Sequence, residues 1–204
     1  GATFRKNFYR CFKKDLPHAD AVEDVLRVLA PVQLEVLKAH LVSGLIEQKL
    51  FRKFRLFKKF HLVAVDATGM ATFQERHCDQ CLTKTYSSGT TRYFHYVLEA
   101  KLVTSNGLAV SLASEFIENP VGEDYEKQDC EQKAFVRLAS KIKKYFPRLP
   151  ICILADGLYP NNTVFDICAS NGWKFIITLK DDCLKTFNQE VRVLRETASG
   201  KSVY

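Results

Sequence analysis

Residues 62–69 read LVAVDATG, and residues 153–162 read ILADGLYPNN. Each is a short apolar run that breaks off at an aspartate, Asp66 or Asp156, with a glycine within three residues. Continuous apolar runs of this length, bounded by turn-forming residues, predict strands covered on both faces, as in parallel sheets. In open α/β sheets ligands gather outside the carboxyl ends of such strands, so both aspartates are expected at a ligand-bearing edge.

Working outward, Tyr93–Thr104 and Leu108–Ile117 flank Asn106-Gly107, a pair suited to the tight turn of an antiparallel hairpin. The stretch 70–90 is polar and reads as irregular, and 118–127 reads as an acidic loop. A helix is expected over 128–146, with Ala134, Phe135, Leu138, Ile142 and Tyr145 inward and Pro147 as its stop. Another spans 162–170 and ends at Asn171-Gly172, a C-cap signal. A buried strand over 174–179 and an amphipathic helix over 181–196 follow. The order β, β-hairpin, α, β, α, β, α predicts an α/β domain over 61–204. Its expected form is a ribonuclease H-like mixed five-stranded sheet flanked by helices.

In that order the strands of Asp66 and Asp156 are neighbours, with their carboxylates facing. Paired acids repel unless a hard cation lies between them, and Mg²⁺ or Mn²⁺ takes such oxygen ligands. The alternative is that each aspartate merely caps a turn. Glu131 stands one helical turn before Ala134 and Phe135, so it either joins the acids or sits there as a first-turn residue favoured by the helix dipole.

With 204 residues, 47% of them hydrophobic and 12% aromatic, the chain can bury a sizeable core. It is therefore neither disordered nor fibrous, and no stretch reaches the roughly 18 apolar residues of a membrane span. The net charge is +7, and residues 1–61 hold 13 Lys/Arg against 6 Asp/Glu, so the whole surplus lies in the first third. That points to a polyanionic partner. Residues 1–60 read as a helical lead-in. A helix over 20–30 is followed by one opening at Pro31, with Leu34, Leu37, Leu41, Leu45 and Ile46 on one face. Next comes KLFRKFRLFKKF (49–60), with six basic residues, no acidic one, and Phe at every third place from Phe51. We expect a basic aromatic helix here, Arg52, Lys53, Arg55, Lys58 and Lys59 contacting DNA phosphates, or else a solvated basic face.

Seven cysteines, mostly in scattered apolar contexts, suit a reducing cytoplasm better than a disulfide framework. His77-Cys78-x-x-Cys81, with His95 fourteen residues further on, has the ligand types and spacing of tetrahedral zinc. An ordinary reduced loop or a redox pair are the alternatives. A structural zinc would pin the 70–90 loop to the hairpin.

LVAVDATG, HCDQC (77–81), YFHY (93–96), EKQDCE (126–131), ILADGLYPNN and KFIITLK (174–180) together resemble the bacterial insertion-sequence DDE transposases, over about residues 16–196. LPHAD (16–20) and FRKFRLFKKF (51–60) look like their helical lead-in. The resemblance implies a ribonuclease H-like core and catalysis by Mg²⁺ or Mn²⁺. It also implies cutting and joining of transposon ends on DNA, a nucleoid-associated cytoplasmic protein and a homodimer on DNA. Asp66 and Asp156 match the first and second catalytic acids. The family's third acid is a Glu on a late helix beyond a further β-rich insert. Its expected place is beyond Tyr204, leaving this chain catalytically deficient, with Glu190 or Glu196 as the alternatives. A nuclease of the same fold and a silent, transposase-derived DNA-binding protein are the rival readings.

Overall fold

From His61 to Val65 every second residue is buried, the alternation of a strand with one face in a core. The computed structural model describes residues 2–75, 77–122, 127–180 and 185–197. It contains six strands: β1 (His61–Phe73), β2 (Leu82–Thr85), β3 (Thr91–Val103), β4 (Ala109–Ile117), β5 (Ile151–Ala155) and β6 (Lys174–Ile177). They form one mixed sheet. β3 takes β1 antiparallel along one side, and β2 and β4 along the other, β2 against its beginning and β4 against the rest. On its far side β1 pairs in parallel with β5, and β5 with β6. The β3–β4 turn is the expected one, with Gly107 at φ +83°, a conformation that glycine adopts without steric cost.

Helix α4 (Glu131–Tyr145) packs on β3 and β4 through Ala134, Phe135, Leu138, Ala139 and Ile142. These meet Val63, Leu98, Leu102 and Ile153 in the core. Helix α5 (Asn162–Asn171) makes the crossover from β5 to β6. Asn161 Oδ1 caps it by accepting from the Val164 N–H at 3.0 Å, and left-handed Gly172 ends it. Helix α6 (Lys185–Thr197) closes the described chain.

Residues before the sheet form helices α1 (Ala2–Phe12), α2 (Ala19–Val28) and α3 (Pro31–Glu47). The compact units divide between Leu37 and Lys38, so residues 38–60 of the expected lead-in belong with the sheet. In the first unit α1 stacks Phe4, Phe8 and Phe12 along one side, with ring centroids 6.5 and 4.7 Å apart. No described helix is long and apolar enough to cross a membrane.

Four expectations need correcting. The sheet has six strands because the 70–90 region is only partly irregular. β1 runs on past Asp66 to Phe73, held by pairing with β3, and β2 follows the loop. The segment 49–60 is not an α-helix. It turns at left-handed Lys49, makes a single 3₁₀ turn over Arg52–Phe54, and turns again at left-handed Phe57 and Lys58, closing a Leu56–Phe60 bridge. On α3 the buried positions are Ala39 and Val42, with Leu45 and Ile46 half-buried, whereas Leu34, Leu37 and Leu41 are exposed. β6 is exposed at Lys174, Phe175 and Ile176, since it is hydrogen-bonded only to β5.

The bent 49–60 segment separates its phenylalanines sharply: Phe51 is 2% exposed and Phe57 84%. Phe51→Ala should therefore cost about 3–5 kcal/mol in urea unfolding, and Phe57→Ala no more than about 0.5 kcal/mol. Equal costs would contradict this packing.

Candidate functional site

The register of β1 on β5, from His61 opposite Ile151 to Ala64 opposite Leu154, sets Asp66 beside Asp156 when carried two residues further. Adjacent strands lie about 4.8 Å apart, so the two backbones bring both carboxylates to one edge region. Asp66 is exposed inside β1, opposite Glu99 of β3, and its Oδ1 accepts from the Ala67 N–H at 3.0 Å. Asp156 directly follows β5. Its Oδ1 accepts from the Leu158 N–H at 2.9 Å, the turn-capping role weighed as the alternative, and its Oδ2 lies 3.6 Å from Lys180 Nζ. The Lys180 stem lies over Gly157, where a Cβ would come within 2.6 Å of Lys180 Cγ. Both partners of that ion pair are more than half exposed, so it contributes little stability.

Glu131 opens α4, and its Oε2 accepts from the Tyr159 hydroxyl at 3.1 Å. Tyr159 is buried with its ring edge-on to Phe135. Burial raises the Glu131 carboxyl above its ordinary value. The Tyr159 hydrogen bond opposes the rise, and the charges of Asp156 and Asp66 add to it. The Tyr159 hydroxyl is raised by burial first, then by Glu131, Asp156 and Asp66. Both aspartates thus act electrostatically on the α4 entrance. The oxygens of the three acids do not all lie within 4.8 Å of one another, so the acids flank a common region without closing on a point. Glu190 lies exposed on α6, and the side chain of Glu196 falls outside the described residues.

A tighter group stands after β1. Cys78 Sγ and Cys81 Sγ are 3.7 Å apart, and His95 Nε2 of β3 lies 3.3 and 3.2 Å from them. Two thiolates each 2.3 Å from a tetrahedral ion would be separated by about 3.8 Å. The knuckle turn, with the Cys81 N–H donating to the Cys78 carbonyl at 3.1 Å, presents both sulfurs to one side. Among the described residues this is the one group of three or more such side chains able to hold a metal ion. His77 is not in it. Its ring stacks on Tyr93 at 3.8 Å and its Nδ1 lies 3.1 Å from the Glu75 carbonyl, so the expected four-ligand set reduces to three.

The basic residues line a cavity at the opposite end of the β1 strand. About 800 Å³ in volume, it is bordered by Lys49, Arg52, Arg55, His61 and Arg148, with Glu47 as its acidic member. Five residue steps along β1 lead from His61 to Asp66, about 17 Å at 3.3–3.4 Å per residue. Arg55 Nε donates to the Arg52 carbonyl at 3.2 Å, and its charge, after burial, helps hold the His61 imidazole below its ordinary value. Lys53 and Lys58 border a second cavity beside Arg52, while Lys59 lies over the Phe60 ring.

Tyr159, Lys180 and Arg148 were not picked out from the sequence, although Tyr159 stands within ILADGLYPNN and Lys180 ends KFIITLK. No protein-family model and no curated protein matches the chain.

The raised Glu131 carboxyl fixes the sign of a pH effect. Its stabilising contribution is complete below the unfolded-state value, about 4.3, and is lost as pH rises through the higher folded-state value. Glu131→Gln keeps an acceptor for Tyr159 but carries no charge. Thermal unfolding should show the variant gaining on the wild type as pH rises from 4 to 7, with the two converging below pH 4. A constant difference across that range would show that the Glu131 carboxyl is not raised in the folded chain.

Proposed function

We propose that the chain is the catalytic region of an insertion-sequence DDE transposase with a ribonuclease H-like core, acting on transposon-end DNA. The observation that carries this reading is the convergence of Asp66 and Asp156, from neighbouring parallel strands, on the edge entered by Glu131. The strand order β4-β3-β1-β5-β6 is compatible with that core, β2 being an addition along the β4 side. The motif resemblance supplies the reaction class, which a fold alone does not.

Mg²⁺ or Mn²⁺, when bound, activates water or a 3′ hydroxyl and stabilises the leaving oxygen of a phosphodiester. Asp66 and Asp156 supply hard oxygen ligands from a rigid sheet, which limits the movement of whatever they hold. Asp156 would exchange its Lys180 contact for the ion, and the ammonium would then be available to a DNA phosphate. Tyr159 orients Glu131 from a buried position. Arg52, Arg55 and Arg148, with Lys53, Lys58 and Lys59 nearby, offer phosphate contacts that give affinity without sequence choice.

The test uses duplexes carrying the ends that flank the coding sequence, with protein expressed from the whole reading frame in Mg²⁺ or Mn²⁺. Expected are cleavage and joining to a target plasmid, both reduced to background by Asp66→Asn and by Asp156→Asn. Cutting without joining would identify a nuclease, and binding without either a silent DNA-binding protein.

For the Cys78–Cys81–His95 group we infer zinc, since two thiolates and an imidazole at these separations suit it and do not suit Mg²⁺. Protein purified without chelator should carry about one zinc per chain. Cys78→Ser and His95→Ala should lose it, and His77→Ala should retain it. Loss of zinc on His77→Ala would restore the histidine to the ligand set.

A further inference from the structure

The Cys78–Cys81 knuckle is joined to the start of α4 by one buried side chain. Asn119 is 1% exposed, and three of its polar groups are engaged. Its Nδ2 donates to the Cys81 carbonyl at 2.8 Å and its backbone N–H to the Gln80 carbonyl at 3.0 Å. Its Oδ1 accepts from the Asp129 N–H at 3.2 Å, two residues before Glu131. Gln128 makes a second tie, with Oε1 accepting from the Thr83 N–H at 2.6 Å and Nε2 donating to the Thr83 carbonyl at 3.0 Å. The Asp129 carboxylate is in turn held by Arg137 of α4 at 2.6 Å.

The N-cap of α4 is weakly made, although Ala134 and Phe135 are buried in the core and the Tyr159 hydroxyl donates to Glu131. Cys130 occupies the N-cap without a capping side-chain hydrogen bond, a position where Ser, Thr, Asp or Asn would satisfy a free amide. What grips residues 128 and 129 therefore adds to Tyr159 in placing Glu131. Without an ion, the three ligand side chains meet through weak thiol contacts, whereas a bound metal fixes all three together. The Asn119 amide cannot reverse to relax the chain, because its nitrogen would then face the Asp129 N–H and its oxygen the Cys81 carbonyl.

We propose that zinc on Cys78, Cys81 and His95 positions Glu131 at the acidic edge, with Asn119 as the positioning residue between the two centres. The proposal rests on the zinc reading above. Metal analysis of the 204-residue protein comes first. Amide-resolved hydrogen exchange then compares zinc-loaded and chelated samples at three reporters: the Cys81 amide in the knuckle, the Asp129 amide, and the Ala134 amide, which donates to the Cys130 carbonyl at 2.9 Å. Chelation should remove protection at all three in the wild type. In Asn119→Asp, which loses the donor to Cys81 and keeps an acceptor for Asp129, chelation should still deprotect Cys81 but leave Ala134 unchanged. Gln128→Ala, a milder change, should reduce the response at Ala134 and decides the matter if Asn119→Asp does not fold. No zinc in the first step removes both the zinc reading and the proposal. Zinc bound, with Ala134 indifferent to chelation in the wild type or unaltered in its response by both substitutions, removes the proposal alone.

Discussion

Everything placed at either end of the sheet depends on four residue pairs, His61 to Ala64 of β1 against Ile151 to Leu154 of β5. The pairing starts where the His61 N–H donates to the Pro150 carbonyl at 2.8 Å, and it is walled by Val63, Ile151 and Ile153, all without solvent exposure. A shift of one residue would turn the apolar set to the wrong face, so burial enforces the register. That register sets Asp66 beside Asp156 beyond one end of the pairing. The Arg52–Arg55–Arg148 cavity lies beyond the other. The placing of like charges near each other is thus imposed by apolar packing, and Asp156 and Asp66 add to the rise that burial gives the Glu131 carboxyl.

What could be read in the sequence was what local patterning controls. The runs VAV and ICILA are apolar at every position, and only a covered strand has use for that. Asn106-Gly107 and Asn171-Gly172 announce left-handed turns through the residue type that tolerates them. The α4 face followed from a period carried over four turns. The misread parts are those where a local period had a different tertiary answer. Phenylalanine at every third place from Phe51 imitates a helical stripe, yet the chain bends through left-handed Lys49, Phe57 and Lys58, three residues of types that signal no such turn. On α3 the leucines were the obvious core residues, but Ala39 and Val42 are the ones buried, and Lys38 Nζ beside them donates to Ser114 Oγ at 2.9 Å. His77 and His95 were equal candidates by type. Only the β1–β3 pairing, with His95 opposite Ala71, decides between them. Tyr159 could not be weighed, because its role exists only once α4 lies above it.

The two clusters differ in chemistry as well as in place. Thiolates and an imidazole form a soft, preassembled set in a short loop, while exposed carboxylates form a hard, open set on a rigid sheet. On the reading proposed above, such a division would suit one ion that stays and others that come and go with a polyanion. The salt links of α4, with Arg137 holding Glu115 and Asp129 and with Lys141 also on Glu115, pair two largely buried carboxylates with cations that keep access to water.

The parallel pairing also has a consequence in time. β3 and β4 meet across a tight turn, and β1 reaches β3 across a modest loop, so these contacts are local and early to form. Each paired β5 residue lies 90 positions after its β1 partner, and closing a loop of that size costs about 4 kcal/mol in chain entropy. At roughly 5–20 residues per second of synthesis, Asp66 emerges from the ribosome several seconds before its partner aspartate exists. During that interval the chain has most of a sheet and no acidic edge. The pairing of the two aspartates at that edge is acquired abruptly, when Ile151–Ala155 docks, rather than by degrees.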